Sequence, residues 1–384
     1  MHTNLGRREF IQGLGAAAAG LGLAPAKLWA SPAPTAPVAV AQCSTYGAEI
    51  VTTLNTMFDQ LGGLHRLVRG KTVSMKINVT GDATLRYKGM SLGQTYWVHP
   101  QVVAATVHLL GKAGARRINL LESPTGTAIH SMAEFFTNAG WNPADFTGAA
   151  RNVQLINTNY PGADGTYTRM YVPGGGLLFK AYDVNPAYRD CDVFVSLAKL
   201  KEHTTAGITG AMKNLFGITP TTIYGTNAGI DEPSVLAGGA RGMLHAGDRQ
   251  PSKSALSELD PTSSRDPGHR VPRVTTDLVA ARPIHLSIID GIQTVAGGEG
   301  PWGMKLRAVN SGVLIAGKNP VATDAVCAAM MGFDPMADRG MPPFEGCDNM
   351  LRLAEDEGLG TRDLRRIEVI GVPLSKARIE FRKV

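Results

Sequence analysis

Short, nearly uninterrupted apolar runs alternate along this chain with stretches whose apolar positions recur every three or four residues. VAVAQC (38–43), TVSMKINV (72–79), RINLLES (117–123) and DVFVSLAKL (192–200) contain few polar positions, as expected of strands buried on both faces. Between them, 48–62 and HPQVVAATVHLLGKAGA (99–115) carry helical spacing. Pro100 suits a first helical position and Gly114 a helix end. HLSIIDG (285–291), SGVLIAG (311–317), the helix NPVATDAVCAAMMG (319–332) and RRIEVIG (365–371) repeat the rhythm in the second half. This alternation predicts an α/β fold, a mostly parallel sheet with helices on both faces. Two stretches break it. YTRMYVPGGGLLFKAY (167–182) reads as a β-hairpin turning at Pro-Gly-Gly-Gly. Residues 218–271 are rich in Gly, Pro, Ser and Asp with little periodicity, so a long loop or lid is expected there.

The chemistry is densest in KLKEHTTAGITGAMKNLFG (199–217). If 192–197 is a buried strand, Lys199, Lys201 and His203 leave its carboxyl end in extended conformation and point to one side. Thr204 or Thr205 can cap the helix that follows and Gly217 can end it. Gly207, Gly210 and Asn214 would share a helical face, with Thr209 and Lys213 one turn apart. Crevices beyond the carboxyl ends of parallel strands are where open α/β sheets bind ligands, and converging cations suit a carboxylate or phosphate. The plainer reading is a solvated strand end with a capped helix behind it.

These residues resemble the bacterial and archaeal family called domain of unknown function 362, whose members show K-x-K-x-H and then a helix ending in K-N-L-F-G. MKINVT (75–80) is similar to the family's I-K-P-N-L, with Ile77 in place of the proline. HPQVVAATVHLLGKAGARRI, IIDGI…GGEGPWG and GKNPVATDAVCAAMMG agree in order along the rest of the chain. Many relatives also carry a ferredoxin-like cysteine cluster. Cys43, Cys191, Cys327 and Cys347 form no C-x-x-C pair, so no cysteine-ligated iron–sulfur cluster is expected and direct electron transfer is disfavoured.

The remaining candidates lie at other strand ends. Lys76 and Asn78 alternate after one strand, Asp290 closes HLSII, and Asp324 sits on the second turn of the 319–332 helix. The expectation is one polar cluster of Lys199, Lys201, His203, Lys213 and Asn214, faced by Lys76, Asn78, Asp290 and Asp324. Lys201, His203, Lys213 and Asp290 are its candidate catalytic residues, with His203 moving a proton near neutral pH. A metal ion is a second candidate occupant, drawn from His203, His99, His245 and His269, although no H-x-x-x-H spacing supports it. GGEGPWG (297–303) can close over a ligand but lacks the order of a P-loop.

The N-terminus sets the compartment. RREFIQGLGAAAAGLGLAPAKLWAS pairs Arg7 and Arg8 with a short Gly/Ala-rich apolar run, too short to span a bilayer. It reads as a twin-arginine signal (1–30), followed by an Ala/Pro linker (31–37) and a single α/β domain (38–384). Export by the twin-arginine machinery to the periplasm is expected, with no stable membrane span afterwards. Net charge is a modest +6 without a basic stripe, which disfavours nucleic acid as a partner. The expected function is an exported protein with an anion- or metal-binding site, acting as an enzyme on a small anionic substrate. The alternatives are a non-catalytic ligand- or cofactor-binding protein and an accessory to a redox complex.

Overall fold

The computed structural model describes residues 33–302, 306–379 and 381. The expected signal at 1–30, the first two linker residues and Gly303 of the GGEGPWG stretch lie outside them. Twelve strands occur among the described residues: β1 (Val38–Gln42), β2 (Thr72–Ile77), β3 (Arg117–Glu122), β4 (Val153–Asn157), β5 (Thr168–Tyr171), β6 (Ala181–Val184), β7 (Val193–Lys199), β8 (Glu202–His203), β9 (Gly207–Ile208), β10 (Leu286–Ala296), β11 (Arg307–Gly317) and β12 (Val369–Gly371). Eight of them form one sheet ordered β12-β1-β11-β10-β7-β2-β3-β4. Neighbours pair in parallel except at β11, which runs antiparallel between β1 and β10. Strands β5 and β6 are the expected hairpin. The described residues from 34 onward form one compact unit.

Side chains of β7 alternate between two cores. Val193, Val195 and Leu197 join the core that packs α1 (Glu49–Gln60) and α2 (Pro100–Lys112) on one face. Phe194 and the following Leu200 join the opposite core, with α3 (Gly210–Asn214), α4 (Pro267–Ala281) and α5 (Pro320–Met330). Period-two alternation thus splits a continuously apolar strand between two helical layers. The alternation stops where β7 ends, at Lys199, so Lys201 and His203 beyond it do not have to share the face of Lys199.

Helix α4 was not legible in the sequence because Pro272 sits inside it. A proline lacks the N–H that would bond the carbonyl four residues back. That carbonyl, on Gly268, accepts instead from the Asp348 backbone N–H at 2.8 Å, so the interruption leaves no orphan acceptor. Asp266 caps the same helix through the Gly268 N–H, and the irregular stretch of the chain therefore ends there. Before it, 218–266 holds short helical turns at Thr221–Tyr224 and Gly242–His245. Asp277 of α4 accepts from the backbone N–H groups of Leu177, Leu178 and Phe179 and from the Tyr182 hydroxyl, pinning the hairpin to the helix. Gly176, at φ +81°, approaches so closely that a Cβ would lie 2.1 Å from the Phe179 carbonyl oxygen. No helix among the described residues is long and apolar enough to cross a membrane.

Candidate functional site

Strands β2 and β7 lie side by side, yet the chain leaves β2 toward β3 and leaves β7 toward β10. Connections that depart to opposite sides open a crevice at the carboxyl ends of such a pair. Asn214 of α3 bridges the two strands, its amide donating to Lys76 O at 3.3 Å, Ser196 Oγ at 3.0 Å and Leu197 O at 3.4 Å. Lys76 donates to Asn214 Oδ1 at 3.1 Å and Ile77 O at 2.6 Å, and pairs with Glu122 at 2.6 Å. Glu122 also accepts from the backbone of Val79 and Ser123. This buried pair is fully bonded and forms the base of the crevice.

Above it opens a cavity of about 540 Å³. Asn78 follows β2, Thr125 and Gly126 follow β3, Lys201 and His203 follow β7, and Glu299 and Trp302 follow β10. Helix α3 adds Thr209, Lys213 and Asn214, while the irregular stretch adds Arg241 and His245. Lys201 is fixed by the Tyr96 carbonyl at 2.6 Å and the Glu299 carbonyl at 3.1 Å. Arg241 donates through Nε to Thr219 and through Nη2 to the Ser123 and Gly217 carbonyls. Glu299 accepts from the Thr204 N–H and hydroxyl and from the Trp302 indole N–H.

Lys213 is different. It is only 8% exposed, and its ammonium lies 4.1 Å from the centroid of the Phe216 ring, but it makes no hydrogen bond among the described residues. Two further polar atoms of the cavity wall, Asn78 Oδ1 and Thr209 Oγ1, are buried without a partner. Buried polar groups are satisfied as a rule, because each orphan costs about 1–3 kcal/mol. Three unbonded groups around one cavity mark a place that is incomplete until something polar enters it.

Burial shifts the proton equilibria of this wall. It pushes the Lys201 and Lys213 ammonium groups down to about 7, against the pull of Glu299, and the Arg241 guanidinium to about 10. It also depresses His245 to about 4 and His203 well below its usual range, in both cases reinforced by Lys213. Burial opposes the charge of Glu299, but His203 and the donors of Thr204 and Trp302 hold its carboxyl well below the carboxylate range. At neutral pH the histidines are thus neutral hydrogen-bonding rings. His203, the expected mover of a proton, is thus a neutral ring beside a lysine pair that titrates near 7.

The structure divides the expected cluster. Lys76, Asn78, Lys201, His203, Lys213 and Asn214 stand in or directly beneath the cavity. Lys199 points to the opposite face of β7, where its ammonium donates to Tyr46 Oη, Gly93 O and Asp290 Oδ2 at 3.0, 2.7 and 2.9 Å. Asp290 lies opposite it in the parallel register, with β10 continuing to Ala296. Both side chains are 0% exposed and neither lines the cavity. Asp324 is also displaced from the wall. Its carboxylate accepts from the Ala211 and Met212 N–H groups at 2.7 and 2.9 Å, so it occupies the start of α3 itself. That helix begins at Gly210 rather than near 205, because Glu202–His203 first pairs with Gly207–Ile208. Gly210 has φ +53°, and a Cβ there would meet the Asp324 carboxylate at 2.4 Å. Of the four histidines considered for a metal, His99 stacks on Tyr46 and His269 pairs with Asp348. No group of three His, Cys, Asp or Glu among the described residues could hold a metal ion. All four cysteines are free.

Arg241, Glu122 and Glu299 escaped sequence reasoning. Glu122 closes a strand next to that of Lys76, a signal visible in RINLLES; Arg241 lies where no periodicity gives it a position.

A family model described as a domain of unknown function, DUF362, matches residues 73–329. The chain belongs to the DUF362 family. The matched stretch carries every cavity residue named above. A relative among curated proteins is the thylakoid-associated protein sll1697 of Synechocystis sp., 26% identical over 186 residues, which are 48% of this chain and 50% of that protein. The lactate racemase apoprotein from Thermoanaerobacterium thermosaccharolyticum shares 13% identity at a TM-score of 0.35, covering 71% of this chain and 54% of the other. A Thermotoga maritima protein of known structure shares 13% identity at a TM-score of 0.37, covering 83% and 59%. The chain thus spans about half the length of the curated relative it matches.

Proposed function

We propose that this protein binds a small anionic molecule, a carboxylate or phosphate, in the cavity at the carboxyl ends of β2, β3 and β7, and acts on it as an enzyme outside the cytoplasm. The observation that carries the reading is the unbonded ammonium of Lys213, set among Arg241, Lys201 and the orphan Thr209 hydroxyl. The wall sets the cations Lys201, Lys213 and Arg241 against two acids, Asp82 and Glu299, both already accepting hydrogen bonds from neighbouring residues, which suits an anion better than a metal ion. Because Asp324 holds the N–H groups of α3, recognition falls to side chains. Localisation outside the cytoplasm rests on the Arg7–Arg8 signal.

Calorimetry with a panel of small mono- and dicarboxylates and inorganic phosphate tests the reading. Lys213→Gln should weaken binding about tenfold to hundredfold, since a hydrogen bond to a charged group is worth about 1.5–3 kcal/mol. A carboxylate stays ionised across neutral pH, whereas Lys201 and Lys213 lose their protons as pH rises through about 7. The anion binds the charged lysines, so affinity should be highest below that value. It should fall above it by up to about tenfold per pH unit for each proton lost. Absence of binding by every panel member would refute the proposal. An affinity unaffected by Lys213→Gln would refute the assignment of the site. Binding without turnover of any panel member would favour the non-catalytic reading.

A further inference from the structure

Four lysines are buried at this edge of the sheet: Lys76, Lys199, Lys201 and Lys213. Three are tethered. Lys76 holds Glu122, Lys199 holds Asp290, and Lys201 holds two backbone carbonyls. Lys213 alone among these four has an amino group without a hydrogen bond to the described residues, and it faces the cavity. Recognition of an anion needs a charge at the end of a side chain. It does not need that side chain to be left without a hydrogen bond while its neighbours have theirs, and an exposed or tethered ammonium would serve. A buried amine that rests on the Phe216 ring but makes no hydrogen bond among the described residues, beside a cavity, suits a second role, attack on a carbonyl carbon.

We propose that Lys213 forms an imine with the carbonyl group of an anionic carbonyl compound, a 2-oxo acid. The inference rests on the anion-binding reading above and deepens it. The Nζ lone pair attacks the carbonyl carbon and the carbonyl oxygen takes up a proton, giving a carbinolamine. Loss of that oxygen as water leaves the C=N bond, so the step requires no oxidant or reductant. Arg241 supplies the partner for the neighbouring carboxylate, since its Nε and Nη2 are engaged and Nη1 has no bond among the described residues. Thr209, whose orphaned hydroxyl lies one helical turn before Lys213 in the same cavity wall, is the group assigned to bond the oxygen that departs. Burial, which lowers the amine to about 7, supports the step by leaving an unprotonated fraction at neutral pH.

The full-length protein is incubated with pyruvate and with 2-oxobutyrate in the presence of cyanoborohydride, which delivers hydride to the imine carbon and fixes it as a secondary amine. Peptide mapping should place the adduct on Lys213, at least tenfold above exposed lysines such as Lys253. Lys213→Arg, which keeps the charge, and Lys213→Gln should each abolish it at that position. Calorimetry without reductant separates this inference from the reading beneath it. If 2-oxo and 2-hydroxy acids bind but no adduct forms at Lys213, the imine is overturned and the anion site stands. If the adduct is spread over surface lysines without preference, the imine is likewise overturned. If neither acid nor inorganic phosphate binds and no adduct forms, both readings fall.

Discussion

Thr209 shows how a single side chain can distinguish a site from a fold. Its hydroxyl is buried, with the residue 2% exposed, and bonds nothing. Valine has nearly the same shape and no hydroxyl. Removing an orphaned buried polar atom returns its desolvation cost, about 1 kcal/mol or somewhat more. Thr209→Val should therefore leave the unfolding midpoint unchanged or raise it, while weakening anion binding several-fold. Thermal unfolding beside calorimetry checks both halves, and a clear loss of stability would mean that the hydroxyl is structural. Such residues are hard to recognise in sequence, because ITGAMKN shows only that Thr209 and Lys213 lie one turn apart. Lys201 and His203 were legible as chemistry through their density and spacing. Their protonation was not, because it depends on burial and on Lys213, which meets them only in three dimensions.

At the scale of elements, the strands were legible because parallel strands buried on both faces are written as continuous apolar runs. The same continuity hid the direction of Lys199. Nothing in DVFVSLAKLKEH marks where β7 stops, so Lys199 was grouped with Lys201 and His203 by continuing the extended spacing, whereas the strand ends at Lys199 and leaves it off the cavity wall. There it forms a buried ion pair with Asp290, which also accepts from the His99 N–H and Tyr46 hydroxyl. Truncating one partner of such a pair leaves an uncompensated buried charge, at a cost of about 3–5 kcal/mol. Lys199→Met should thus lower stability by that amount in denaturant titration. The double change Lys199→Met with Asp290→Leu should recover much of it. Stability unaltered by the single change would contradict a structural role. The ends of β10 and β11 were underestimated for a related reason: QTVA and RAVN are mixed in character, yet these residues pair across an extended antiparallel ribbon.

For the whole molecule, the cavity draws on at least six separated segments, from Asn78 to Trp302. The site therefore exists only once the chain has folded, and a route that exports folded proteins is compatible with a ligand acquired before transit. The Arg7–Arg8 pair lies outside the described residues, so its role is tested directly. Replacing both arginines by lysine should retain the precursor in the cytoplasm, scored by fractionation of the native host. Unchanged export of this double variant would redirect the protein to another route. The α/β class and its two helical layers were readable from rhythm alone. The cavity wall was not, because Arg241 and His245 come from a stretch whose position is set by hydrogen bonds from Arg241 to Gly217, Thr219 and Ser123 rather than by any repeating pattern.

Trp302 stands at the rim of the cavity, 49% exposed, with its indole N–H on Glu299. Its ring sits where a Cβ on Gly81 would lie 2.8 Å away, and it meets Tyr96 edge-on at 5.9 Å. Trp97 and Trp141, by contrast, are enclosed in the core on the α1–α2 face. The indole at the rim therefore gives the protein a built-in optical reporter. In protein lacking residues 1–30, and with them the fourth tryptophan, Trp29, arrival of an anion beside Glu299 alters the polarity around Trp302 while the enclosed pair stays constant. The emission maximum should shift on titration with ligand, and Trp302→Phe should abolish the shift without removing the core signal.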